Sequence, residues 1–315
     1  MRVCYLIQSH RDADQIARLV RVLGSASPDS LVIVAHDDTG CALTSGDLPC
    51  AAERHLLPVH GPLRRGYLSM LDPYLQAVAW LREQRLQYDW LVYVSGQDYP
   101  TMALAQSEAA LAAADCDGFL RYWPALGDTG PWRRRRQGRN RYFFQYRDAN
   151  SWPAPLLRLA RAANGLQSLL HVHLVYGPRV GVRAWRTPFS ADRACYVGWQ
   201  WTTLKRECAE LVLDRVKRDR QLVAYYERTI CPDESLVQTV LVHAGGLRLT
   251  NDNLRYSDNL GSRDGRPRTL GVADFAQLTS GAFHFARKFD RAFDSRILDL
   301  LDAHLAAPTA AGRPG

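Results

Sequence analysis

The chain has 315 residues, of which 47% are hydrophobic and 23% are charged, which is typical of a soluble globular protein. No apolar run reaches the roughly 18 residues that a membrane-spanning helix needs, and the apolar start is too short for a signal-peptide core. The net charge of +8 would suit nucleic acid, an anionic membrane surface or an anionic sugar nucleotide.

Cysteine usage and the distribution of arginine narrow these possibilities. The seven cysteines are odd in number and include no Cys-x-x-Cys pair, which argues against a disulfide framework or a zinc ribbon and favours a cytoplasmic location. The positive charge is concentrated in one predicted loop, over residues 127–141. This loop contains Trp132 and the arginines Arg133, Arg134, Arg135, Arg136, Arg139 and Arg141.

Strands and helices alternate in the first third of the chain. Strands are predicted over residues 2–8, 31–35, 54–59 and 90–94, and helices over 12–23 and from about 67 to 85. This alternation predicts an α/β fold with a mostly parallel sheet covered by helices, in which the ligand binds at the carboxyl ends of the strands. Those ends carry Ser9, His10, Asp37, Arg65, Gly66 and Gly96-Gln97-Asp98. Neither a Gly-x-Gly-x-x-Gly fingerprint nor a Walker loop is present.

The second half is less regular. We predict a strand over 117–123, a helix from 152 to about 175, a loop over 176–189, and helices over 209–216 and 222–228. A further helix is predicted from Pro232, because proline suits the first helical position and the acids Asp233 and Glu234 suit the positive helix end. Residues 248–256 are predicted as a strand that enters a loop, 285 begins the last core segment, and 293–304 form a closing helix. The tail 306–315 is predicted to be flexible.

Several short motifs resemble one known family in their order and spacing. They are residues 95–100, Gly198-Trp199-Gln200-Trp201, residues 231–239 with Pro232-Asp233-Glu234, Asn253-Leu254-Arg255-Tyr256 and Phe285-Ala286-Arg287-Lys288-Phe289-Asp290. Together they resemble the core-2/I-branching N-acetylglucosaminyltransferase and peptide xylosyltransferase family, from residue 3 to about 290. Residues 124–190 match poorly, and this region is expected to select the acceptor. The resemblance implies a GT-A-type fold in one domain over 1–305, with a nucleotide-binding half (1–123) and an acceptor and catalytic half (124–305).

The resemblance also implies roles for individual residues. Glu234 is expected to be the catalytic base. Lys288 and an arginine, Arg268 with Arg266 as the alternate, are expected to hold the diphosphate. The remaining nucleotide contacts are expected from Ser9, His10, Asp37, Arg65 and Gly66. Acceptor contacts are expected from Asp98, Trp199, Gln200, Trp201, Asp233 and Tyr256.

A metal ion is not expected. GT-A enzymes usually carry an Asp-x-Asp after the fourth strand that chelates a divalent cation, whereas this chain has Ser95-Gly96-Gln97-Asp98, with one carboxylate. The strings Asp12-Ala13-Asp14 and Asp115-Cys116-Asp117 open a predicted helix and precede a predicted strand, where aspartate caps or turns the backbone. The histidines, including His171 and His173, show no zinc-ligand spacing. We therefore expect fixed positive charge to stabilise the departing diphosphate.

The sequence thus predicts an inverting, metal-independent glycosyltransferase. It would move a sugar, N-acetylglucosamine in the first place, from a UDP-sugar co-substrate to a hydroxyl of a glycan or small-molecule acceptor, without a cofactor. Transfer of xylose or another sugar by the same fold stays open, as do nucleic-acid binding through loop 127–141 and a catalytically silent sugar-binding protein. Asp98 is the alternative base. A nucleic-acid partner is not expected, nor more than peripheral membrane contact.

Overall fold

The computed structural model describes residues 1–50, 52–127, 130, 136–166, 168–259 and 266–307. Its strands are β1 (Val3–Ser9), β2 (Leu31–His36), β3 (Glu53–Pro58), β4 (Trp90–Ser95), β5 (Asp98–Pro100), β6 (Gly118–Phe119), β7 (Tyr122–Pro124), β8 (Phe144–Asp148), β9 (Leu170–His173), β10 (Arg179–Arg183), β11 (Tyr196–Gly198), β12 (Thr203–Lys205), β13 (Leu249–Thr250), β14 (Arg255–Ser257) and β15 (Phe285–Arg287). Its helices are α1 (Ala13–Ala26), α2 (Asp72–Glu83), α3 (Leu104–Ala112), α4 (Gln137–Tyr142), α5 (Ala154–Ala162), α6 (Arg206–Arg218), α7 (Arg220–Tyr226), α8 (Leu236–Val242), α9 (Phe275–Leu278), α10 (Arg291–Asp294) and α11 (Arg296–Ala306).

The central sheet has seven strands in the order β13-β6-β12-β4-β1-β2-β3. Only β12 runs antiparallel to its neighbours, so the other four pairings are parallel. Every residue of β1, β2 and β4 is buried, as expected for strands with helices on both faces. The predicted α/β class with a mostly parallel, helix-covered sheet is confirmed, and this architecture is consistent with the GT-A type.

Two hydrophobic cores lie on opposite faces of this sheet. One contains Leu6 and Ile33 with apolar side chains of α2, α6 and α8. The other contains Tyr5 and Ile7 with apolar side chains of α1 and α11. Each core includes residues from both predicted halves of the chain. Burial of this apolar surface is the main source of stability.

The region between residues 117 and 189 differs from the prediction. The helix predicted from 152 to about 175 is wrong, because α5 ends at Ala162 and β9 follows, and the loop predicted over 176–189 contains β10. Strands β8, β10 and β9 form a small antiparallel sheet, with α5 packed on one face through Leu157, Val172 and Val180. The strands predicted over 117–123 and 248–256 are each divided between two sheets.

The segment that begins at Pro232 also differs. Pro232–Glu234 form one 3-10 turn, and Ser235 separates this turn from α8 with φ −141° and ψ −40°. The buried Ser235 hydroxyl donates to the carbonyl of Tyr196 at 2.7 Å, which fixes the break. Glu234 therefore precedes α8 and does not lie in its first turn, so the helix dipole argument does not apply to it.

The first helix and the closing helix are present as predicted. Asp12 caps α1 by accepting a hydrogen bond from the backbone of Gln15 at 3.1 Å. The closing helix is present as α10 and α11, and residues 308–315 of the predicted tail lie outside the described residues. None of the described helices combines the length and the apolar character that a bilayer span requires.

Gly198, the last residue of β11, allows the segment that enters β7 to approach closely. A Cβ atom at this position would lie 1.7 Å from the carbonyl oxygen of Arg121 on the neighbouring chain segment. We expect Gly198→Ala to lower the free energy of unfolding by at least about 2 kcal/mol, as overpacking typically does. Urea unfolding measures this loss. Gly165→Ala is the matched control because its Cβ would meet no atom within 4 Å, and equal losses in the two variants would contradict the prediction.

Candidate functional site

A cavity of about 870 Å³ lies at the carboxyl ends of β1, β2 and β4. Ser9, His10 and Asp37 line it from the ends of β1 and β2, and Gly96 and Gln97 follow β4. Further parts of its wall come from the segments around residues 65–66, 171–176, 198–201, 231–234 and 287–288. The structure therefore brings together motifs that are up to about 280 residues apart in the sequence.

Glu234 lies in this cavity and is paired with a largely buried arginine. Arg141 Nη1 lies 2.6 Å from Glu234 Oε2, and the Glu234 side chain retains one-third of its exposure. The backbone reinforces this pair, because Ile230 N donates to the carbonyl of Arg141 and Tyr142 Oη donates to the carbonyl of Cys231. An oriented, accessible carboxylate can accept a proton from a bound hydroxyl group.

Asp233, beside Glu234, has an unusual environment. It is buried, and its Oδ1 atom has no hydrogen-bond partner among the described residues. Burial, followed by the neighbouring charge of Glu234, raises the pKa of Asp233 to about 7. Two adjacent carboxyl groups thus differ in exposure and in partners, and Asp233 retains its proton to a higher pH than an ordinary aspartate.

The polar side chains at the ends of β1 and β2 are held in place by local hydrogen bonds. Ser9 Oγ lies 2.8 Å from His36 Nδ1, and the Asp37 carboxylate accepts a hydrogen bond from the backbone of Thr39 at 3.0 Å. Desolvation and the nearby Arg11 charge lower the pKa of His10. These contacts present a carboxylate and an imidazole at the end of the cavity that the sequence assigns to the nucleotide.

The two candidate arginines for the diphosphate occupy different places. Arg266 lines the cavity together with Lys288. Arg268 does not line it and instead contacts two carboxylates, Asp258 at 2.8 Å and Asp274 at 2.7 Å. These partners raise the pKa of Arg268. The structure therefore favours Arg266, the alternate of the sequence analysis, over Arg268.

Two further arginines at the cavity were missed by the sequence analysis. Arg255 donates to the carbonyl oxygens of Tyr93 at 2.9 Å and Thr202 at 3.2 Å, and burial lowers its pKa to about 10. The Arg287 guanidinium lies 4.4 Å from the ring centre of Trp201, and burial lowers its pKa. In the sequence, only their position inside the recognised motifs could have indicated that these two arginines belong to the site.

Asp98 lies beneath the cavity and does not line it. It is almost fully buried, accepts a hydrogen bond from the Ser95 hydroxyl and lies 3.5 Å from Arg287 Nε on the neighbouring strand β15. The structure thus gives Asp98 a supporting position under Arg287. It does not place Asp98 where an acceptor or a bound hydroxyl would be contacted.

Of the other residues expected on the acceptor side, some line the cavity and one does not. Trp199, Gln200 and Trp201 line the cavity. Gln200 Nε2 is anchored by Gln8 Oε1 at 3.0 Å, and the Trp201 ring packs 5.0 Å from that of Tyr93. Tyr256 does not line the cavity, because its ring packs against Phe283 at 5.2 Å.

Strand β9 contributes a wall that the sequence analysis did not assign to the site. Its two histidines, His171 and His173, line the cavity, and the His173 ring stacks on Tyr176 at 5.3 Å. Burial lowers the pKa of His171 to about 4 and that of His173 to about 3, so both are neutral near pH 7. Arg65 lies 5.1 Å above the Tyr176 ring, and Gly66 has a positive φ of 84° with Tyr176 against its Cα. The His-x-His alternation was the signal that could have revealed this wall.

Aspartates of both candidate metal motifs form ion pairs. Asp14 pairs with Arg291, Asp115 with Arg248 and Asp117 with Lys205. Within the described ranges, no group of three or more His, Cys, Asp or Glu side chains could hold a metal ion. Of the arginine loop, residues 131–135, with Trp132, Arg133, Arg134 and Arg135, lie outside the described residues.

Comparison with known proteins shows similarity to one family and to two named relatives. Residues 182–284 match the model of the family described as "Branch: Core-2/I-Branching enzyme". Xylosyltransferase 2 of Canis lupus familiaris is 26% identical over 272 residues, covering 80% of this chain and 26% of the relative. Xylosyltransferase 1 of Homo sapiens is 27% identical over 271 residues, covering 79% of this chain and 24% of the relative. The chain thus spans about a quarter of the length of the curated relatives that it matches.

A solved structure, that of HddC from Yersinia pseudotuberculosis, overlaps 66% of this chain and 78% of its own. Its TM-score is 0.29 and its sequence identity is 9%, and a likeness this low supports no conclusion.

The raised pKa of Asp233 predicts a pH-dependent stability difference. The folded state keeps a proton that the unfolded state loses above about pH 4, so the contribution of Asp233 to stability falls as the pH rises towards about 7. We expect Asp233→Asn to gain roughly 2–4 kcal/mol relative to the wild type across this interval. Urea unfolding of both proteins over the interval measures the difference.

Asp29→Asn, which removes an exposed carboxylate, is the control for this experiment. A constant difference between Asp233→Asn and the wild type over the same pH interval would contradict the proposed cause.

Proposed function

We propose that this chain transfers a sugar from a UDP-sugar to an acceptor hydroxyl with inversion, on its similarity to the core-2/I-branching family model and to xylosyltransferases. The observation that carries this proposal is the position of Glu234 in one cavity with Lys288 and Arg266. A base and a cationic cradle are the two groups that such a displacement needs.

In the proposed reaction, Glu234 accepts the proton of the acceptor hydroxyl. The hydroxyl oxygen forms a bond to the anomeric carbon from the face opposite UDP, and the bond from that carbon to the diphosphate oxygen breaks. The negative charge that leaves with UDP is stabilised by Lys288 and Arg266. This is the single displacement of an inverting glycosidase, with an acceptor hydroxyl in place of water.

We propose that the reaction proceeds without a metal ion or a cofactor. Eight arginine and lysine side chains and three carboxylates line the described part of the cavity, so positive charge is in excess there. Asp98, the remaining carboxylate of the fourth-strand motif, is held by Ser95 and Arg287. Fixed cations can perform the charge stabilisation that a divalent ion performs elsewhere.

The proposed donor sugar is N-acetylglucosamine, on the family resemblance. Xylose is the second candidate, because the curated relatives are named for xylosyl transfer. For the acceptor we propose a glycan or a small molecule that lies against Trp199, Trp201 and the β9 wall. The His173 Nε2 atom supports this placement, because it is buried and has no hydrogen-bond partner among the described residues.

The alternative functions are less well supported. Nucleic-acid binding would need the arginines of loop 127–141 at the surface, whereas Arg141 is mostly covered and paired with Glu234. A silent sugar-binding protein would not need an oriented base. We propose a cytoplasmic location, which the seven free cysteines support.

The first prediction from the proposed reaction concerns the base, Glu234. Glu234→Gln preserves size and hydrogen bonding but removes the proton acceptor, so turnover should fall by at least about 10²-fold while UDP-sugar affinity changes little. Steady-state kinetics and calorimetry measure the two quantities. Glu227→Gln, at the end of α7, is the control. Turnover of Glu234→Gln near that of the wild type would contradict the mechanism.

The second prediction separates the two arginines. Arg266→Ala and Lys288→Ala should each weaken UDP binding by about 10-fold or more, because each removes a charge-assisted contact with phosphate. Arg268→Ala should lower stability, through loss of the contacts with Asp258 and Asp274, and leave UDP affinity unchanged. Calorimetric titration with UDP measures this, and the reverse order of effects would overturn the assignment.

The third prediction concerns metal ions. Activity should persist in excess EDTA and should not rise when manganese is added, because the phosphate charge is balanced by side chains. A loss of turnover in EDTA that manganese restores would refute metal independence. It would leave the role of Glu234 intact, since that role is tested separately.

A further inference from the structure

Exposed apolar side chains are concentrated in one part of the surface. Of the fourteen large hydrophobic side chains that are exposed among the described residues, nine lie between residues 152 and 185. Exposed single residues are ordinary on a protein surface, but such a concentration is typical of an interaction site. We call the main group the leucine face. It consists of Leu159, Leu166, Leu169, Leu170, Val182 and Trp185.

The local structure explains why these side chains point outward together. Helix α5 packs on the β9–β10 face through Leu157, which leaves Leu159 on its outer side. Leu170 and Val182 are directly paired across β9 and β10, so they share that sheet face beyond the end of α5. Arg183 N donates a hydrogen bond to the carbonyl of Leu169. This bond holds the end of β10, two residues before Trp185, beside the residue that precedes β9.

Arginine accompanies these apolar side chains, and acidic residues are absent from the sequence between 152 and 186. Four of the arginines in this stretch are exposed, and none of the four forms an ion pair with a described residue. They are Arg158, Arg161, Arg183 and Arg186. Apolar side chains flanked by uncompensated arginines are the composition of surfaces that bind anionic lipid headgroups.

We propose that the leucine face docks on an anionic lipid bilayer. A second copy of this chain is disfavoured as the occupant, because a self-complementary contact would bring the exposed arginines of two copies together. The bilayer supplies both an apolar layer for the leucines and negative charge for the guanidinium groups. The docking itself does not depend on the proposed transfer reaction; only its consequence for the acceptor does.

The face is continuous with one end of the cavity. Arg161 and Val175 line the cavity and also belong to the exposed stretch, and the histidines of β9 face the cavity from the same strand that carries Leu170. Docking would therefore hold the β9 end of the cavity close to the membrane surface. An acceptor presented from the headgroup layer would reach the site with little diffusion.

Vesicle cosedimentation of the full chain tests the proposal. We expect binding to vesicles of phosphatidylcholine mixed with phosphatidylglycerol, binding that weakens with added salt, and much weaker binding to phosphatidylcholine alone. Leu159→Gln combined with Leu166→Gln should lower the partition coefficient at least about tenfold. Arg158→Glu and Arg186→Glu should each lower it about fivefold or more.

Matched controls lie elsewhere on the surface. Phe293 is 66% exposed and Leu159 is 71% exposed, so Phe293→Gln removes a comparable apolar side chain outside the face. Arg21→Glu makes the same charge change on α1. Neither control should alter vesicle binding. Circular dichroism and the unfolding temperature establish that the variants are folded.

A second measurement locates the contact. Trp185 is 89% exposed, so vesicles with brominated acyl chains should quench its fluorescence, and Trp185→Phe should lose that part of the quenching. Absence of vesicle binding, equal effects of the controls and the face variants, or quenching unchanged in Trp185→Phe would each overturn the proposal. A dimer in solution that Leu159→Gln with Leu166→Gln dissociates would assign the face to a second copy instead.

Discussion

The ion pair between Arg141 and Glu234 joins two parts of the molecule that the sequence keeps 93 residues apart. A largely buried guanidinium is destabilising without a carboxylate partner, so Glu234 stabilises the position of Arg141. Because Ile230 N donates to the carbonyl of Arg141 and the Tyr142 hydroxyl donates to the carbonyl of Cys231, the turn at Pro232 is also fixed by α4. The geometry of the proposed base is therefore a property of the tertiary structure.

The two adjacent acids, Asp233 and Glu234, have different surroundings. Asp233 is buried and retains its proton to about pH 7, whereas Glu234 faces the cavity and a cation. On the other side, Lys288 and Arg266 lie near the ends of β1 and β2, where Asp37 is held by the backbone. Arg287 stacks on Trp201 and contacts the buried Asp98. The cavity thus has a cationic region and a separate carboxylate, as the proposed displacement requires.

Local patterns in the sequence were sufficient for the first four strands and α1, because continuous apolar runs and a capping aspartate are local signals. They failed where a distant partner decides the outcome. The helix expected from Pro232 is interrupted at Ser235 by a hydrogen bond to Tyr196, and the helix expected through 175 gives way to a strand that pairs with β10.

Local sequence patterns also failed at the site where distant residues decide which side chains reach the cavity. Proximity in sequence could not distinguish Arg266 from Arg268, since the carboxylates of Asp258 and Asp274 make the difference. Asp98 and Tyr256 were expected to contact the acceptor, yet ion pairing and aromatic packing hold them away from the cavity. Arg141 was noticed only as part of a charged loop, because nothing local indicates that its side chain turns inward to Glu234.

The stereochemistry of the first sugar released from UDP tests the central claim most directly. With water as a slow acceptor, proton NMR of the α-linked donor UDP-N-acetylglucosamine, or UDP-xylose, can identify the anomer that forms before mutarotation. Removal of a proton by Glu234 on the face opposite UDP predicts that the β anomer appears first and that Glu234→Gln abolishes its formation. Initial release of the α anomer would contradict the single displacement and the role of Glu234 in it.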